Sequence, residues 1–155
     1  TERMQEHVAR GKIVLGYALA AAERHQEAIE QYGQASDAWK KMDNAQLHVE
    51  AQAGLAASAL AISKAERAKE FMDPIVNLIQ SEPLYDTVAP YCIYWNGYVI
   101  LAKLNDERAS YILERAYTQL LSQAQQIDDE DAALRFHQDC PFRSQLTAAW
   151  KEKNC

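Results

Sequence analysis

Residues Tyr91 to Ile127 read YCIYWNGYVILAKLNDERASYILERAYTQLLSQAQQI: an aromatic-rich apolar segment, a four-residue polar break (NDER) and a second amphipathic run. Helical spacing turns this into an antiparallel helix pair. Gly97 is small enough to let two helices approach closely. Ala109, Leu113 and Ala116, at offsets of four and seven, draw one continuous apolar stripe along the second helix. Such a hairpin cannot bury its stripe alone, so the rest of the chain must supply the covering surface.

Upstream, Val8, Ile13, Leu15, Tyr17, Ala18 and Leu19 mark a first helix over Arg3–Ala22, with a polar turn at Glu23–His25. Ala28, Ile29, Tyr32, Ala35, Ser36 and Trp39 mark a second, closed by Lys40 and Lys41 at the negative end of its dipole. Asp43 or Asn44 caps an alanine-rich third helix, and Ser63 is expected to cap a fourth over Lys64–Gln80. Pro74 inside that fourth helix predicts a kink or restart at Asp73–Pro74. Ser81–Pro90, with Pro83 and Pro90, is the longest break in the pattern. Beyond Ile127 the acids Asp128–Asp131 open a short helix to about Gln138. Pro141 then fits the first turn of a last one, capped by Asp139 or Cys140 and running through Leu146, Ala149 and Trp150. The expectation is one all-α domain of about eight helices, in units 3–42, 44–81 and 88–127 with a terminal pair at 129–153.

The hairpins superpose on their small residues. Gly16, Ala56 and Gly97 lie 40 and 41 residues apart, as do Ala28, Ala68 and Ala109. Tyr32, Met72 and Leu113 follow as large apolar residues, then Ala35, Ile75 and Ala116. Two helices per period of this length are the signature of an α-solenoid, whose units bury their stripes by stacking on neighbours.

Composition supports this. With 48% hydrophobic and 25% charged residues in a chain of 155, a substantial core is available, while five glycines and four prolines provide too few turns for a sheet protein. A net charge of −6 argues against direct contact with a nucleic-acid backbone. No apolar run spans a membrane, and the charged start TERMQEHVARGK is unlike a signal peptide. Cys92, Cys140 and Cys155 form no CxxC pair, which suits reduced thiols in the cytoplasm. The chain opens in helical sequence without an initiator Met, as expected of a piece of something larger.

Catalytic chemistry has little to stand on. GxxxxGK[ST], GxGxxG, HExxH and GxSxG are all absent, no cofactor is implied, and the acidic run reads as a solvated helix start. His137 and Cys140 are three residues apart, but two ligands do not make a metal site. Cys92 has no His near it in sequence and reads as a buried structural thiol.

The order Leu15, Gly16, Leu19, then Ala28, Tyr32 and Ala35 across a polar turn resembles the tetratricopeptide repeat, although that repeat is about 34 residues long. The longer period implies longer helices or loops. In the second unit Ala56 stands for the Gly and Met72 for the aromatic. The last quarter, Tyr111 to Trp150, resembles the closing region of tetratricopeptide-like domains in large bacterial signal-transduction ATPases, including transcription activators and nucleotide cyclases. Phe136, Pro141, Leu146 and Trp150 fall on matching positions; His137, Cys140 and the placement of Arg143 depart from the pattern.

The resemblance implies a right-handed array whose first helices line a groove. Tyr94 and Tyr98, with Arg10 and Tyr17 from the first unit and Glu50 from the second, would face it and bind a protein or peptide. Tyr91, Tyr94, Trp95 and Tyr98 cover more of a helix than one core stripe needs, and aromatic and Arg side chains make recognition hot spots. Alternatively, Tyr91 and Trp95 seal the core between the second and third units. Groove-facing tyrosines predict that Tyr94→Ala and Tyr98→Ala weaken partner binding while helicity is kept. The rival functions are a helical-bundle enzyme or small-molecule sensor, and a solenoid fragment that self-associates through an uncapped stacking face into a homo-oligomer.

Overall fold

A computed structural model describes residues 1–138 and 141–155, with the side chains of 137, 138 and 141 outside that description. The described residues form eight helices and no strand: α1 (Glu2–Ala21), α2 (His25–Lys41), α3 (Ala45–Ala61), α4 (Ala65–Ser81), α5 (Pro90–Lys103), α6 (Arg108–Gln125), α7 (Glu130–Gln138) and α8 (Pro141–Asn154). Within each of the first three hairpins the two helices pack on each other, and α2 also packs on α3. The first helices meet one another as well, α1 with α3 and α3 with α5, so they form one layer. The arrangement is all-α and solenoid-like.

Four of the connections are built alike. Glu23, Asp43, Ser63 and Asn105 each take a left-handed φ between 52° and 62°. The N–H after each one reaches back across the turn: Arg24 to the Leu19 carbonyl, Asn44 to Trp39, Lys64 to Ala59 and Asp106 to Leu101. This is a Schellman closure, made here without glycine. Ser63 is therefore the left-handed turn residue and not the predicted cap, since Lys64 occupies the cap position of α4 and makes no side-chain cap bond. Asn44 does cap α3, its Oδ1 accepting from the Leu47 N–H at 3.0 Å. The expected restart at Pro74 does not occur; α4 is assigned as one helix from Ala65 to Ser81.

Every position used to align the hairpins is buried: Gly16, Ala28, Tyr32 and Ala35; Ala56, Ala68, Met72 and Ile75; Gly97, Ala109, Leu113 and Ala116. The period is thus a packing period. The Tyr32 ring sits between Gly16 and Gly54, close enough to overlap a methyl group at either. Gly97 lies less tightly against Met72 and Ile112, where an added methyl would come within 3.0 and 3.3 Å of their side-chain ends. Helix α3, central in the row, is buried nearly all round, which its alanines permit because small side chains let neighbouring backbones come close.

The terminal pair closes one end. Asp129 caps α7 through Oδ1, which accepts from the Ala132 N–H at 3.1 Å, and Asp128–Asp131 are exposed. Leu146 is fully buried against the main core. Trp150 stacks on Tyr117 at 4.0 Å and donates to Glu114. The predicted Asp139 or Cys140 cap and the His137–Cys140 pair lie outside the described residues.

Candidate functional site

Helix α3 carries two buried polar side chains one turn apart, Gln46 and Glu50. On a helix this spacing puts both on one face. That face meets residues 82–89, the connection between α4 and α5. Gln46 donates from Nε2 to the Pro83 carbonyl at 3.0 Å and accepts from the Tyr85 N–H at 2.9 Å. Glu50 accepts from the Val88 N–H at 2.8 Å and from both the Ala89 N–H and the Tyr17 hydroxyl, at 2.9 and 2.8 Å.

The other side of the connection is held from the third hairpin. Leu84 is fully buried. Its N–H donates to the Tyr94 hydroxyl at 3.2 Å, and its carbonyl accepts from Gln119 Nε2 at 2.8 Å. Tyr94 in turn donates to Gln119 Oε1 at 2.5 Å. At the rim, Arg10 lies 3.6 Å from the Asp86 carboxylate, with its guanidinium 5.6 Å from the centre of the Trp39 ring.

Of the five residues expected to face a groove, Arg10, Tyr17 and Glu50 come together, and what they hold is this chain's own connection. Tyr94 is buried, only 1% exposed, because its ring packs in the core and its hydroxyl is spent on Leu84 and Gln119. The expectation that it faces an open groove is corrected. Tyr98 stands apart, half-buried and tilted against Trp95 at 5.7 Å. Tyr91 is buried and Trp95 packs partly buried on the same core, so these two seal the third hairpin. Cys92 is buried too, its sulfur accepting from Asn96 at 3.3 Å.

Gln46 and Gln119 escaped the sequence reading. A glutamine on a helix is ordinarily solvated, and no periodicity signals that a distant loop will return to it. The hint available was the length of the Ser81–Pro90 break, more than a turn between packed helices requires.

Burial pushes the Glu50 carboxyl above the usual range, while the Val88, Tyr17 and Ala89 donors and the charge of Arg10 pull it back. Burial, and then the charge of Glu50, raise the Tyr17 hydroxyl far enough that it remains a donor. Among the described residues no group of three or more His, Cys, Asp or Glu side chains is placed to hold a metal ion. No described helix is long and apolar enough to cross a membrane. No protein-family model, curated protein or solved structure matches the chain.

Proposed function

We propose that this chain is a non-catalytic interaction module that binds a non-helical segment of protein, serving as the helical-repeat part of a larger cytoplasmic regulator of the bacterial signalling or transcription type that its last quarter resembles. One observation carries this. Side chains of α3, α5 and α6 hold the backbone N–H and C=O groups of a non-helical segment that bends at residues 86–88, which is how a protein grips a peptide without reading every side chain. The converging polar groups are engaged in hydrogen bonds to amides and hydroxyls, a recognition chemistry. A tethered peptide library screened against the immobilised chain should enrich non-helical sequences, and Gln46→Ala should abolish the enrichment at unchanged circular dichroism. A library from which nothing is enriched, with helicity intact, would sink the reading.

Self-association has its own support. Met4, Val8, Val14 and Leu15 leave 46–65% of their surface exposed along α1. One period later, Gly54 and Leu55 on α3, the counterparts of Val14 and Leu15, are buried, Gly54 directly against Tyr32 of α2. Solenoid units present such a face to a stacking neighbour. Light scattering over a concentration series tests it: mass should rise with concentration and Leu15→Glu should prevent the rise, whereas a constant monomer mass discards it.

A further inference from the structure

Four of the connections among α1–α6 close in three or four residues, while the α4–α5 connection uses eight, and those eight are spent against helix faces. Their contacts are mostly of a kind that any peptide could make. Gln46, Glu50, Tyr94 and Gln119 bind backbone atoms of Pro83, Leu84, Tyr85, Val88 and Ala89. Only Leu84 is buried as a side chain, Asp86 meets Arg10 at the rim, and Tyr85 and Val88 are 71% and 46% exposed. The fit also has a flaw: the Thr87 hydroxyl oxygen is buried and has no hydrogen-bond partner among the described residues. A buried hydroxyl left unsatisfied weakens whatever segment carries it.

We propose that the face built by α3, α5 and α6 is a peptide site that Pro83–Ala89 occupies as a ligand in cis. External ligands are non-helical segments that bend after the acidic position as residues 86–88 do, with an aliphatic residue at the Leu84 position, an acidic residue two places on and an apolar β-branched residue in place of Thr87. This rests on the reading of the chain as a peptide-binding module and names the ligand of that site. A tethered occupant competes at millimolar effective concentration, so external ligands bind in proportion to how far the tethered one is weakened.

The test uses the full chain and a fluorescent synthetic peptide of residues 81–90, SEPLYDTVAP. By anisotropy, Leu84→Ala in the chain should tighten peptide binding at least about tenfold. Thr87→Val should act with opposite signs in the two places: in the peptide it tightens binding about tenfold, and in the chain it weakens binding by a similar factor, because it improves the tethered competitor. Arg10→Glu should leave binding of the unaltered peptide nearly unchanged, because it weakens the tethered and the external Asp86 alike, whereas a peptide with Asp86→Lys should bind the Arg10→Glu chain several-fold more tightly than the unaltered peptide does. Equal signs for the two Thr87→Val measurements, or no binding by any variant that keeps its helicity, overturn the proposal. Should Leu84→Ala fail to fold, the Thr87→Val pair and the rim substitution Asp86→Ala, which should tighten binding several-fold, still decide it. Library peptides that bind without being displaced by SEPLYDTVAP would preserve the interaction module and refute this site, whereas absence of all binding removes both.

Discussion

The left-handed turn residues and the close-approach glycines are the positions where a single side chain tells most. Ser63 holds φ of 62° with a side chain that disfavours it. Ser63→Gly should therefore stabilise the fold by about 0.5–1 kcal/mol, read as a raised urea midpoint at unchanged slope. Gly54→Ala should do the reverse, since the added methyl meets the Tyr32 ring, itself hemmed in by Gly16 across the interface. Overpacking of this kind costs about 1–3 kcal/mol, and Tyr32→Leu in the same chain should recover part of it. Tyr94→Ala, expected from sequence to spare the fold, is now expected to cost about 3–5 kcal/mol, because it empties a core site and strips Leu84 of a partner. Thermal unfolding followed by circular dichroism reads this directly.

Among the elements, α4 and α6 are joined by a charged cluster at the turn before α6. Asp106 accepts from the Arg108 side chain at 2.9 and 3.0 Å and from its backbone N–H at 3.0 Å. Arg108 then reaches Asp73 on α4 at 2.8 Å, and Lys69 lies 3.7 Å from Asp106. These bonds, the Arg108 side chain foremost, pull the Asp106 carboxyl down to about 2 from its ordinary 3.8. A lowered value stabilises the fold above the ordinary one, and the stabilisation is lost as pH falls toward about 2. Asp106→Asn should flatten the acid limb of the stability curve over that interval and change little near neutrality beyond a constant offset. The helices themselves were readable in the sequence, since Ala28, Tyr32, Ala35 and their counterparts sit at a period that only stacked hairpins explain. What could not be read is the return of residues 82–89 onto α3: Gln46, Glu50 and Gln119 look like solvated helix residues until the loop is in place. Arg10, Tyr17 and Glu50, expected to line a groove, meet around residues 82–89 of their own chain, while Tyr94, placed in that groove by the repeat resemblance, is buried with its hydroxyl on Leu84 and Gln119.

At the scale of the molecule, the α4–α5 connection ties together helices that a plain solenoid would leave independent. Arrays with neighbour contacts alone can unravel from their ends. Here α1, α3, α5 and α6 all touch one segment, so unfolding should be a single transition, and Leu84→Ala should split it into two in calorimetry, besides costing about 2–5 kcal/mol. Glu50 adds a pH signature of its own. Its carboxyl is raised above the ordinary 4.5, so its contribution is complete below that value and declines as pH rises through the raised one. Glu50→Gln should remove this decline, at a constant cost of about 1–3 kcal/mol for the amide donor left facing the Val88 or Ala89 N–H.

The same connection has a consequence for synthesis. Chains emerge at about 5–20 residues per second, and domains generally fold as they appear. Helix α3 is complete well before Val88 and Ala89 exist, and Gln119, which fastens Leu84 from the far side, is made 73 residues after Gln46. For roughly 2–8 seconds at those rates, Gln46 and Glu50 sit in the forming interior before the backbone groups of residues 83–89 that satisfy them have been translated, Glu50 having only the Tyr17 hydroxyl to hand. The first two hairpins can stack early, but their shared face is finished only when the third hairpin arrives to fasten Leu84 from the far side.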